Sequence, residues 1–328
     1  MALSLDEMRS TVCDWTESLY DPRTGGFRHN AQIGPNVMST TDVVWMRYAV
    51  NEPDLAAGRR DAVVAYLQGA QDRATGKICH DPGPAGQGHS CGHAFWQTVR
   101  ALHLLDADLL HFPHHLRPAM TPTGLEQWFD AVDWDGPEGN HHEVLALTPL
   151  LVSLDDPEWT ETFFRKIGEQ QDPETGAWPR SRVSISRTFA YTALHRAAGR
   201  FPARPERMLD TILSLQRADG AWEEEPRFLT MDCIFLLGRT ARDLDYRRDD
   251  ADRALEHAAD RLNQFYLGRG EQIRANPHAM SAVVHAFALL QEAFPQRYPA
   301  TRQFRFHWDR AEVYFSDVVA EEGAGADR

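Results

Sequence analysis

The sequence predicts an all-α chain folded as one (α/α)6 toroid of helical hairpins over residues 1–319, and three observations carry that expectation. A short Asp/Gly turn recurs at a fixed interval. Amphipathic segments come before the turns, and more uniformly apolar segments come after them. Six such pairs of about 50 residues account for roughly 300 positions of a 328-residue chain.

The turn reads Asp-x-x-Thr-Gly-x-apolar at Asp21–Phe27, Asp72–Ile78 and Asp172–Trp178, with a shortened copy at Asp219–Trp222. Asp21 and Asp72 are 51 positions apart, and Asp72 and Asp172 are 100 apart, two periods. A degenerate copy is expected midway, at Asp133–Gly136. Glycine supplies the positive φ that ends a helix, and the apolar residue after it tucks beneath the neighbouring hairpin.

The hairpins follow in order. Leu5–Tyr20 is amphipathic and precedes the apolar Thr41–Val50. Arg59–Gln71 precedes Cys91–Leu105, and the weakest outer segment, Leu125–Val132, precedes His141–Leu154. Glu158–Gln171 leads to Ser186–Ala198, Pro205–Gln216 to Phe228–Ala241, and Asp252–Tyr266 to His278–Phe294. An inner ring covered on both sides explains the alternation. An open solenoid would want polar capping repeats, yet the first and last inner segments are as apolar as the rest. The acidic, Gly/Ala-rich tail at 320–328 is expected to fray.

Composition narrows the function. The 34 Lys+Arg against 48 Asp+Glu give a formal charge of −14, without the basic cluster that nucleic acid requires. No apolar run is long enough for a membrane span, and Met1–Ser10 does not read as a signal peptide. Four cysteines are too few for a disulfide scaffold, so a reducing cytoplasm is expected. Fifteen histidines are the feature that needs explaining.

Helical hairpins joined by Gln-Asp-x-x-Thr-Gly-x-Trp, as at Gln171–Trp178 and shortened at Gln216–Trp222, resemble the repeats of the terpenoid cyclase and protein prenyltransferase superfamily. The resemblance implies an (α/α)6 barrel with its reactive groups at one mouth, around the starts of the inner helices. Seven histidines fall there (29, 80, 89, 93, 141, 142 and 278). Asp42, Trp45, Asp81, His93, Arg227 and His278 are the candidate substrate-binding residues for a small molecule.

Three chemistries could use such a mouth. Zinc would draw on Cys91, His89 and His142, since thiolate and imidazole suit its tetrahedral site. The superfamily's prenyltransferases place an Asp-x-Cys pair before Phe-Trp. Here His89-Ser90-Cys91 precedes Phe95-Trp96 without the Asp and with different spacing. The structural alternative makes Cys79 and Cys91 small core residues. Proton-initiated cyclisation of an isoprenoid-like substrate would need a buried, protonated acid, for which Asp232 is the candidate, unless it pairs with Arg227 or another arginine. Cleavage of an acidic saccharide by a lyase would use Asn140, His141 and His142 with Arg187 and Tyr191, and a glycoside hydrolase would use paired carboxylates. A non-catalytic ligand-binding or scaffold toroid is the remaining reading. His103, His195, His257 and His285 are expected to be packing or surface histidines.

Overall fold

The computed structural model describes residues 3–55, 58–80, 90–136 and 141–326. Among them there are fourteen α-helices and no strand, only isolated bridges such as Gln71 with Ile78 and Trp178 with Ser184. The outer helices are α1 (Leu5–Leu19), α3 (Arg59–Gly69), α5 (Pro122–Asp130), α8 (Pro157–Glu169), α10 (Pro205–Ser214) and α12 (Arg248–Ile273). The inner ones are α2 (Val37–Ala49), α4 (Cys91–Leu104), α6 (His141–Leu145) with α7 (Thr148–Ser153), α9 (Ile185–Ala197), α11 (Phe228–Leu244) and α13 (Pro277–Ala293). Each expected segment is therefore helical, and the inner ones are buried nearly all round. Residues 317–326, overlapping the stretch expected to fray, form α14 (Asp317–Ala326), which packs on α7.

The third inner segment is two short helices instead of one, and Pro149 gives the reason. Its ring nitrogen cannot donate to Leu145 O, and the Thr148 hydroxyl takes that carbonyl instead. The inner helices pack in the row α9, α11, α13, α2, α4, α6, so that the last hairpin lies against the first. The two ends of the chain are also tied by Arg9, which donates to Thr301 Oγ1 at 3.0 Å, and by Asp6, which accepts from Thr301 N at 3.1 Å.

The repeated turn has a physical account. Asp72 accepts from Thr75 N and Oγ1 at 2.8 and 2.7 Å, and Asp172 accepts from Glu174 N at 2.7 Å. The preceding glutamine closes the loop from within. Gln71, Gln171 and Gln216 each donate to the carbonyl of the turn glycine, at 3.2, 2.8 and 2.9 Å. Those glycines have φ of +70°, +66° and +90°, and they sit against the backbone of the next hairpin. A Cβ on Gly176 would lie 2.5 Å from Arg204 O, and one on Gly220 would lie 2.5 Å from His257 O. The turn is thus where one repeat docks on the next. The degenerate copy has neither the preceding glutamine nor the threonine, and Arg187 donates to its Trp134 O at 2.5 Å and Gly136 O at 3.0 Å.

Candidate functional site

The starts of four inner helices meet at one place. Ser90 caps α4 by accepting from His93 N, and Asn276 caps α13 by accepting from Ala279 N. Gly92, in the first turn of α4, lets that helix approach α6 so closely that a Cβ would stand 2.6 Å from His142 O. Its amide donates to Glu143 Oε1 at 3.2 Å. The approach sets the His93 ring 4.3 Å from the His142 ring. His80 reaches the same point, its Nε2 lying 2.9 Å from His93 Nδ1, and the His278 ring lies 5.8 Å from His93 on another side.

His278 is oriented by a carboxylate. Its Nδ1 lies 3.1 and 3.0 Å from the two oxygens of Asp42, which is 0 % exposed on α2. A carboxylate only accepts, so Nδ1 carries the proton, and in the neutral ring Nε2 keeps its lone pair. Phe228, at the start of α11, packs against this imidazole with ring centroids 4.2 Å apart. His29 stands beside the pair, its Nδ1 3.1 Å from Ser39 Oγ, and burial holds it below the usual histidine range.

Asp232 lies one turn along α11 from Phe228. Burial, reinforced by the charge of Glu223, pushes its carboxyl well above the usual range, and a hydrogen bond from Ser186 offsets only part of this. Glu223 is itself raised by burial, although it accepts from Arg227 N at 2.6 Å and from Thr230 N at 2.8 Å. The arginine pairing expected for Asp232 does not form with Arg227, whose guanidinium turns outward to Glu225. Arg227 is a surface ion-pair residue, not part of this cluster.

The remaining expected residues fall elsewhere. Cys91 is bonded to Cys79 in a disulfide, which corrects both the zinc-ligand role and the reading of the two as separate core residues. A disulfide sulfur has no thiolate to offer a metal. Cys91 is therefore not available as a zinc ligand. Among the described residues, no group of three or more His, Cys, Asp or Glu side chains is arranged to hold a metal ion. His89, Asp81 and Asn140 lie outside the described residues, as does the side chain of His141. The Arg187 guanidinium is directed at main-chain carbonyls, and Tyr191 is buried between Trp134 and Trp178, with ring centroids 6.3 and 5.8 Å away.

Trp45 is fully buried and is part of a polar centre that sequence reasoning missed. Arg100 on α4 stands with its guanidinium carbon 3.6 Å from the Trp96 ring, 3.9 Å from Trp45 and 4.6 Å from Trp308. His285 and His307 flank Trp308, their rings 5.2 Å apart. Trp308 and His307 belong to an extended segment beyond the sixth hairpin, and its alternating Phe304, Phe306 and Trp308 were the available signal.

No family model, no curated protein and no solved structure matches the chain.

Proposed function

We propose that the chain is an enzyme carrying out acid–base chemistry on a polar small molecule, built on an (α/α)6 toroid, with the pocket at the gathered starts of its inner helices. One observation carries the reading: the imidazole of His278 is held by a fully buried carboxylate and faces the space shared with His93 and Phe228. Asp42 fixes the tautomer and steadies the ring as it gains a proton, so His278 Nε2 is the proton acceptor. Asp232, whose carboxyl burial pushes well above the usual range, is the group able to give a proton.

The aromatic interior argues against an isoprenoid carbocation. Trp45, Trp96 and Trp308 already surround a permanent cation, Arg100, and a second positive charge among them would be repelled. The imidazoles of His80, His93, His142 and His278 suit an oxygen-rich or acidic substrate, such as an acidic saccharide.

The test is turnover by the intact protein in a metabolite extract and on defined panels of uronate oligosaccharides and prenyl diphosphates. The expected result is at least one compound consumed by the wild type, with the rate lowered about 10²–10⁴-fold in His278→Gln and Asp42→Asn. Retention of a ligand without any turnover would make the chain a binding module. Equal rates in wild type and both variants would remove His278 from the mechanism.

A further inference from the structure

Arg100 lies two turns beyond His93 on α4, about 10 Å further along the axis. It is 0 % exposed, and among the described residues its guanidinium nitrogens have no carbonyl or carboxylate acceptor, with only the Tyr314 phenol oxygen beside them. Among the described residues the polar groups acting on it are the Tyr314 phenol and one carboxylate, Asp42, which is already engaged with His278. Tyr314 gives its proton to Trp308 O at 2.7 Å. Burial lowers the guanidinium only to about 10, so it remains charged at neutral pH. A buried charge without a close counter-ion is costly, and cation–π contacts offset only part of that cost.

The surroundings are rich in donors. The indole N–H groups of Trp45 and Trp308 and the amide of Gln97 are buried without acceptors, and neither nitrogen of His307 has a partner. His285 donates from Nδ1 to Ser281 O at 2.7 Å, which leaves one lone pair at Nε2. Burial pushes both of these histidines down, so they add no charge of their own. One fixed positive charge and a surplus of N–H groups are enclosed by aromatic faces, an arrangement matched by an anion and poorly matched by neutral solvent.

We propose that this interior centre binds one small monovalent anion, a halide or the carboxylate group of a ligand, against Arg100, His307 and the indole N–H groups of Trp45 and Trp308. The site is separate from the acid–base pair, and binding there would stabilise the fold whether or not His278 is catalytic.

Thermal unfolding of the whole chain tests it, after exchange into gluconate, an anion too bulky for the site. At constant ionic strength, chloride, bromide, formate or acetate should raise Tm by about 3 °C or more, saturably. A response to halides identifies a free ion, and a response to carboxylates alone identifies a ligand's acid group. Arg100→Met should abolish the shift. Should that variant fail to fold, Trp308→Phe keeps the aromatic contact, loses the N–H and should at least halve the shift. One equivalent of anion released on denaturation of the exchanged protein also supports the site. It is overturned by a flat Tm with no anion released, or by a shift that survives both substitutions.

Discussion

Asp232 separates two kinds of buried acid. Had it paired with an arginine, its carboxylate would be charged and its loss would expose a lone cation. Instead burial pushes the carboxyl well above the usual range, and a hydrogen bond from Ser186 offsets only part of this. Asp232→Asn preserves shape and the acceptor for Ser186 while removing the acidic proton, so the predicted outcome is an unchanged or higher unfolding midpoint at neutral pH. Turnover should nevertheless fall by about 10²-fold or more. A large drop in stability would show instead that the carboxylate is charged and paired. The candidacy of this residue was legible in its placement within an apolar run, but the missing arginine was not. Arg227 is only five positions away, and its direction is set by Glu225 and by the path of the loop before α11. Arg100 was illegible for a similar reason. It interrupts an apolar helix as a surface arginine would, and its partner Trp308 arrives from the far end of the chain.

The hairpin repeat was legible because its chemistry is local. Asp, Thr and Gly within one turn determine their own hydrogen bonds, whereas the pairing of Cys79 with Cys91 depends on the loop between them, which follows no period. The structure adds why the glycine cannot be replaced. Gly176→Ala would meet both a φ of +66° and a backbone contact at 2.5 Å, so a loss of about 2 kcal/mol or more is predicted from urea unfolding. Gly34 has neither constraint, and Gly34→Ala should stay within about 1 kcal/mol of wild type. Equal effects at the two positions would mean that the turn does not dock the repeats. Gly92 acts on the site as well as on the fold. A methyl group there forces the starts of α4 and α6 apart, and a cost of about 1–3 kcal/mol is expected. The imidazole resonances of His93 and His142 should shift together in Gly92→Ala and remain in place in Gly34→Ala.

Across the whole molecule, buried histidines and buried acids give stability two opposing pH dependences. Burial pushes His195 and His285 down to about 4, and His307 well below the usual range. Below pH ~6.5 the unfolded chain takes up protons that these three rings refuse, so each lowers stability by up to about 1.4 kcal/mol per pH unit until its folded pKa is passed. Asp232 and Glu223 work the other way, since the folded state keeps protons that the unfolded chain releases above pH ~4. Between about pH 4.5 and 6 the three rings outweigh the two acids, and stability should rise with pH. Above about pH 6.5 the rings are neutral in both states, and burial of Asp232, which raises its pKa in the folded chain, is then the contribution that makes stability decline with pH. Urea midpoints measured across this range should therefore peak near neutrality. His307→Phe should flatten the acid limb, and Asp232→Asn should flatten the alkaline one. An acid limb that stays flat in the wild type would mean that these rings take up protons while the chain is still folded, with water reaching the space around Arg100.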